Sequence, residues 1–593
     1  MNKRNLKGID EILIYDVEVF KFNTIIVFKQ YNKPGYCVFE DDFRDLKDLI
    51  KNKVLVGFNN YRYDDYILSA ILEGKTQEYI KQLNDYIISG GDMRDLEVGN
   101  TFYKLNTLDT MQELNNRISL KEFQANKGLS IEESPIDFNL NRPLNDREKE
   151  LVKSYCIHDV YSTEILFEER IDSYFRPKLE LVKMTNKSCN KWNTTTIAAE
   201  ILTNGHKLFN WEYLRVDKKY LELVPEEVLD YWINNAKYVV NNNKVESFKY
   251  LEDGYELVFG FGGLHFGNKT IAQNVVLLDV SSMYPNIIIN NDFLGFETLA
   301  YRKILAERMI AKNENDLNRS NALKLILNSV YGNFKNKYSN LYNPHAGVST
   351  CITGQIAIYD LFRRLKKYGE IININTDGIA FVPKNNLWKK ASMDWTLYWH
   401  LELIEKHYSK WIQKDVNNYI AQEVNGKIVT KGTDVNNFEY NPLGKVKHNI
   451  VDLCLVNYFL QDITIAETIK NNLNDPKLFQ IILKTSNKFA ATVDENKVIR
   501  NKVNRVFASK IGTHCLKRLR NDGNFSKFPD APNKMLVFND SLDNLDINKF
   551  KEILDTEYYL ELANKKLKNW PVKNVIKLKD NTSKLREIER MII

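Results

Sequence analysis

The chain lacks most of the features that mark secreted, membrane-embedded or metal-knotted proteins. No apolar run approaches the roughly 20 residues needed to span a bilayer; the longest are short pieces such as NVVLLDV. The start, MNKRNLKGIDEILIYD, is charged and carries no apolar signal segment, which predicts a soluble cytoplasmic protein with no membrane partner. Six cysteines (Cys37, Cys156, Cys189, Cys351, Cys454 and Cys515) form no CxxC and no zinc spacing, so neither a disulfide framework nor structural zinc is expected. Internal repeats, Pro/Ser-rich linkers and long one-sign charge runs are also missing. LEGKTQ ends like a phosphate-binding loop, but Ser69 stands where the opening glycine must be. The eight histidines contain no HExxH.

What is present bounds the class without fixing the function. At 593 residues the chain is longer than one core supports, and 44% hydrophobic with 12% aromatic content describes globular domains. A formal charge of +6 suits a phosphate-rich partner without demanding one. Function must therefore be read from motifs.

Three fragments in the first third carry acids. EILIYDVEVF reads as a buried strand with Asp16 and Glu18 on one face, a costly arrangement unless a cation lies between them. VGFNNYRYDDYIL reads as a strand end, a polar turn and a helix start centred on Asp64 and Asp65. Within the helical pattern NDREKELVKSYCIHDVYSTEILFEER, Tyr155 and Asp159 stand one turn apart on one face. Each fragment alone serves equally well as a solvated strand end or a helix cap.

Taken in order, D-x-E, N-x-x-Y-D and Y-x-x-x-D resemble the three motifs of the DEDDy 3′→5′ exonucleases. The resemblance implies that Asp16, Glu18, Asp64 and Asp159 hold two Mg²⁺ ions, that Tyr155 orients the attacking water, and that a single-stranded DNA 3′ end is the partner. Asp65 rivals Asp64, and Asn59 or Asn60 supplies the motif's amide.

The middle of the chain holds a second set. NVVLLDVSSMYPN reads as an apolar strand ending at Asp279, with Pro285 in the first turn of the next helix. LKLILNSVYGNF reads as a helix with Lys324, Asn328 and Tyr331 in one stripe, preceded by a helix carrying Arg308 and Lys312 at i, i+4. INTDGIAF has an Asp-Gly pair between apolar runs, which predicts a hairpin turning on those two residues with Asp377 at its tip.

These strings resemble motifs A (D-x-x-S-M-Y-P), B (K-x-x-x-N-S-x-Y-G) and C (D-T-D, here N-T-D) of the family B DNA polymerases, in family order. The resemblance implies that Asp279 and Asp377, helped by the Val280 carbonyl, bridge two Mg²⁺ or Mn²⁺ ions. It also implies that Lys324, Arg308 and Lys312 clamp a dNTP triphosphate, with Asn328 and Tyr331 in the same pocket, and that Tyr284 excludes ribonucleotides. Asn375 replaces the first Asp of motif C, which removes one negative charge and is expected to weaken cation attraction or alter metal preference. The Gly262-Gly263 pair resembles the family's linker between its two halves.

The implied architecture is an α/β multidomain chain, with a ribonuclease H-like exonuclease domain followed by a right-hand polymerase domain. Its parts are the exonuclease domain at 1–190, a linker region and start of palm at 191–270, palm at 271–300, fingers at 301–345, palm at 346–445, and a thumb with the C-terminal region at 446–593. In the last part, Lys and Arg interleaved with aromatics suit contacts to duplex DNA. The spacing from Asp279 to Lys324 and from Gly332 to Asp377 is 45 residues each, which leaves no room for the inserts of protein-primed family members. The expectation is a compact, phage-like monomer acting on primer–template DNA, with phage replication proteins as further partners. A repair nuclease with a weakened polymerase half, and a catalytically silent DNA-binding scaffold, are the rival readings.

Overall fold

The computed structural model describes residues 11–92, 99–114, 118–185, 187–435, 441–444, 449–494, 497–499, 501–512, 515–529 and 531–572. Among them no helix is long and apolar enough to cross a membrane. The chain is a mixed α/β, multidomain molecule, with four separate sheets among the described residues. All six cysteines are free.

The first sheet contains β1 (Ile12–Val19), β2 (Thr24–Gln30), β3 (Cys37–Glu40), β4 (Val54–Gly57) and β5 (Thr107–Asp109), in the order β3-β2-β1-β4-β5. β1 pairs antiparallel with β2 and parallel with β4. Alternation along β1 sends Leu13, Tyr15 and Val17 into a core shared with the Asp64–Leu72 helix. Ile12 and Ile14 enter the opposite core, against the Asp146–Arg170 helix. Asp16 and Glu18 continue this second face. That long helix starts where the sequence places it, because Asn145 and Glu148 form a reciprocal capping box that satisfies two orphan N–H groups.

The second sheet has nine strands: β6 (Phe248–Glu252), β7 (Tyr255–Gly260), β8 (Gly263–Gly267), β9 (Thr270–Val280), β10 (Gly369–Asn375), β11 (Gly378–Pro383), β12 (Leu403–Asp415), β13 (Asn418–Glu423) and β14 (Ile428–Lys431). Their order is β14-β13-β12-β9-β11-β10-β8-β7-β6, so β9 lies between β12 and β11. Alternation again sorts β9. Val276, Leu278 and Val280 join the large core that includes the Pro344–Leu365 helix, whereas Val275 belongs to a small cluster on the opposite face. Asp279 shares the parity of Val275 and so stands on the face away from that helix. Strands β6 to β8 already belong to this sheet, so the sheet starts before residue 271.

Two antiparallel helices, Thr298–Asn313 and Leu317–Asn333, project between β9 and β10 in the chain. Asp316 caps the second by accepting from the Arg319 N–H at 3.1 Å.

The C-terminal region, from the Asn449–Leu460 helix to the Thr556–Leu567 helix, contains two small sheets and packs on the first domain. Arg505 makes that junction. It is fully buried, and its guanidinium donates to the carbonyls of Ala125 (3.0 Å), Leu129 (2.8 Å) and Asp540 (2.7 Å) and to Gln480 Oε1 (3.2 Å). Its donors are thus spent on carbonyls at and beyond the end of the Leu120–Lys127 helix and on the C-terminal region.

Candidate active sites

The amino-terminal centre is built from β1, the start of the Asp64–Leu72 helix and the middle of the Asp146–Arg170 helix. Ligand atoms of Asp16, Glu18 and Cys156 lie within 4.8 Å of one another. The Cys156 thiol donates to Asp16 Oδ2 at 3.4 Å. Asp64 and Asp159 join the same electrostatic cluster: burial, then Asp159, pushes the Asp16 carboxyl up to about 7. Burial followed by the Asp16 charge raises Glu18 and Asp64 well above the ordinary carboxyl range. Tyr155 is raised by burial first and by Asp159 next, so its hydroxyl stays protonated. All five residues expected here are therefore brought together.

Asp64 and Asp65 part company. Asp65 is fully buried and accepts from Tyr15 (2.5 Å), Asn60 (2.9 Å), Thr107 (2.7 Å) and Lys191 (2.5 Å), so its oxygens are committed to the fold. Asn60 is bound to Asp65 rather than to the acid cluster, and the Asn59 N–H donates to Asp109 at 2.8 Å. Asp64 remains as the acid facing the cluster.

Two residues outside the motifs complete this centre. Lys121 donates to both Asp159 oxygens at 2.6 and 2.8 Å and lies 4.4 Å from the Tyr155 ring centroid. Gln124 donates to Asp159 Oδ1 at 2.9 Å. Both sit on the Leu120–Lys127 helix, whose Ser119–Glu122 capping box is visible in sequence, although nothing local marks Lys121 as a partner of Asp159.

The central centre lies where β9 and β11 pair. Asp279 faces Gly378, and the Val280 N–H donates to the Asp377 carbonyl at 2.8 Å, which sets Asp377, just before β11, beside Asp279 on β9. Burial, then the Asp279 charge, pushes the Asp377 carboxyl up to about 6. Lys406 on β12 pairs with Asp279 Oδ2 at 3.2 Å, and Lys431 on β14 lowers the Asp377 carboxyl. Lys406 carried no recognisable signal, since it reaches the acids only through strand order, whereas Lys431 lies in VTKG, a string that resembles a family feature beyond motif C.

The expected Asp-Gly turn is corrected. Asn375 pairs with Gly378, so the two-residue turn is Thr376-Asp377, with Thr376 at φ 58° and Gly378 already in β11. Glycine there leaves room for the acid, because a Cβ on Gly378 would stand a tight 3.3 Å from Asp279 Oδ1. Gly263 has the matching role behind the turn, where a Cβ would come within 2.7 Å of Thr376 Oγ1. The Asn375 amide turns away from the acids, toward the Val416 carbonyl (3.4 Å) and Asn417 Oδ1 (3.3 Å).

Around this centre, Arg308 Nη1 donates to Ser282 Oγ at 3.3 Å and is half-buried, which lowers its pKa. Lys312, Lys324 and Asn328 are exposed on the helix pair. Tyr284 and Tyr331 meet at 4.4 Å between ring centroids, tilted by 32°, and burial raises both hydroxyls. The Tyr284 ring is held from behind: a Cβ on Gly354 would approach it to 3.0 Å.

Both donor sets fit hard divalent cations. Glu18 is nine-tenths buried and Asp64 more so; among described residues no side chain hydrogen-bonds either carboxylate, a state that a cation relieves. At the central pair, ammonium groups already stand where positive charge is needed.

No protein-family model and no curated protein matches the chain. Among solved structures it is similar to the family B DNA polymerase from the hyperthermophilic archaeon Pyrobaculum calidifontis, at 15% identity over 95% of this chain and 78% of that chain, with a TM-score of 0.42. A likeness this distant carries no functional weight, which rests on the motifs and the two acid centres.

Proposed function

We propose that the chain is a template-directed DNA polymerase carrying its own 3′→5′ proofreading exonuclease, and that it replicates phage DNA in a host cytoplasm. The observation that carries this reading is the pairing of Asp279 with the Asp377 turn on adjacent strands, in a chain whose other acid cluster occupies a separate sheet. The order β3-β2-β1-β4-β5, antiparallel then parallel, supports a ribonuclease H-like exonuclease domain within 1–190. The nine-stranded sheet supports the palm, the helix pair of 298–333 the fingers, and the C-terminal region the thumb.

Two Mg²⁺ ions per centre, with Mn²⁺ as substitute, would supply a nucleophile deprotonated near neutral pH and neutralise the leaving oxygen. In the central site Asp279, the Val280 carbonyl and Asp377 hold cations. Lys324, Lys312 and Arg308 bind the triphosphate of the dNTP, with Asn328 and Tyr331 along the same stripe. Tyr284, backed by Tyr331 and Gly354, closes the space that a ribose 2′-hydroxyl needs. In the amino-terminal site Asp16, Glu18, Asp64 and Asp159 hold cations, while Tyr155 orients the water that attacks a DNA 3′ end.

The test is extension of a labelled primer on a DNA template with Mg²⁺ and dNTPs. Asp377→Ala is expected to lose extension by roughly 10³-fold and keep primer shortening, whereas Asp16→Ala with Asp64→Ala does the reverse. Shortening without extension in the native chain, with Mn²⁺ as well as Mg²⁺, would replace this reading with that of a nuclease.

A further inference from the structure

Beside the central site lies a surface that the chemistry above does not use. The 43 residues from Leu317 to Tyr359 contain no Asp or Glu and, besides the Lys324 assigned to the triphosphate, include Arg319, Lys335 and Lys337. The segment after the Leu317–Asn333 helix is bound to a second loop from before the nine-stranded sheet: the Leu208 N–H donates to the Asn340 carbonyl at 2.8 Å, and the Asn343 amide to the Phe209 carbonyl at 3.2 Å. Together the two loops present Phe209, Tyr213 and Tyr338, which are 80%, 62% and 85% exposed.

Cations are interleaved with these rings. Lys337 lies 5.1 Å from the Tyr338 ring, and the Arg215 guanidinium 5.4 Å from Tyr213 and 4.1 Å from the buried Trp211. Lys207 is exposed beside Phe209, and Glu212 is the single carboxylate between Lys207 and Arg215. The surface is continuous with the nucleotide pocket, since Lys335 stands 5.5 Å from the ring of Tyr331. Large rings are costly to leave in water, and three on neighbouring loops with cations between them match one class of partner: unstacked bases joined by phosphates. Duplex DNA hides its base faces, so a single strand is the form of nucleic acid that these rings can stack on.

We propose that this surface binds the unpaired template strand next to the nucleotide pocket, with bases stacking on Phe209, Tyr213 and Tyr338 and phosphates meeting Lys207, Arg215 and Lys337. The inference rests on the polymerase reading but asks something separate of the chain.

The experiment compares the full native chain with Phe209→Ala/Tyr213→Ala/Tyr338→Ala and with Lys337→Ala. Anisotropy of a fluorescent oligothymidylate and primer extension are read on templates with overhangs of 2 and of 10 nucleotides. The aromatic variant is expected to bind the oligonucleotide about 10-fold more weakly or worse, and to raise KM on the long overhang with kcat kept. Lys337→Ala is expected to flatten the salt dependence by about 0.7 in the log–log slope. An equal loss on both overhangs, or none on either, overturns the proposal while native extension leaves the polymerase reading standing. A native chain that dimerises through these rings, detected by sedimentation and abolished in the aromatic variant, also overturns it. A native chain that binds oligonucleotide without extending any primer would instead refute the polymerase reading.

Discussion

At the amino-terminal centre the buried carboxylates of Glu18, Asp64 and Asp159 crowd around a partly buried Asp16, and Glu18 and Asp64 have no side-chain donor among described residues. At the central centre two carboxylates sit on an open sheet face with Lys406 and Lys431 at hand, and Asp279 keeps a third of its side chain exposed. The first centre stores electrostatic strain that a cation relieves, whereas at the second Lys406 and Lys431 offset part of the strain that burial and Asp279 place on Asp377. Binding a cation should therefore stabilise the fold more at the first centre than at the second.

The supports differ as well. The central acids are fixed within one sheet, but Lys121 and Gln124 stand on a helix whose carboxyl end is held by Arg505 from the far end of the chain. The largest effect that would test this asymmetry is Arg505→Met, which strips three carbonyls of a donor and is expected to cost about 3 kcal/mol in stability. Shortening activity should fall while primer extension at 20 °C persists; equal loss of both would break the comparison.

Next in size is the pH dependence of metal-free stability. The Asp16 carboxyl stands near 7 and Asp377 near 6 in the folded chain, both above the unfolded value near 4. Between pH 4 and 7 the folded chain therefore holds protons that the unfolded chain has released, so stability falls as pH rises through this window. Asp16→Asn removes the Asp16 share, and in EDTA at pH 8 the stability read from the first thermal transition should rise by an amount on the order of 3 kcal/mol. Mg²⁺ should stabilise the native chain and not the variant in differential scanning fluorimetry. An unchanged EDTA midpoint would mean that Asp16 is already comfortable without a cation.

Tyr284→Ala probes the pocket wall and should raise ribonucleotide incorporation relative to deoxyribonucleotide by roughly 10-fold or more. No change would remove Tyr284 from that role. The smallest effect is expected of Asn375→Asp. Its side chain points toward Asn417 and Val416 rather than at the acids, so the added charge acts from a distance and should lower the Mg²⁺ concentration for half-maximal extension only a few-fold. A change of a hundredfold would mean that residue 375 swings round to bind the cation.

Much of both centres was legible because it is local. A strand repeats every two residues and a helix every 3.6, so Asp16 with Glu18, Tyr155 with Asp159, and Lys324 with Asn328 could be assigned to shared faces from spacing alone. The preference for Asp64 over Asp65 came from motif spacing, since Asp64 follows Tyr63 directly; the physical difference between the two acids was not legible, because Tyr15, Thr107 and Lys191 claim Asp65 only in the folded chain. The turn at Asp377 was misplaced by one residue for a related reason. An Asp-Gly pair signals a turn locally, but here the glycine answers a close approach by Asp279, almost a hundred positions earlier.

The sequence by itself determined which residues carry charge, which elements they ride on and which face of each element they occupy, because those follow from composition and backbone period. Only the tertiary structure decided which charges meet. Lys121 on Asp159, Lys406 on Asp279 and Arg505 on the Ala125 and Leu129 carbonyls join positions from 38 to 380 residues apart. At such separations the chain's own periodicity says nothing, and strand order and domain docking set every distance.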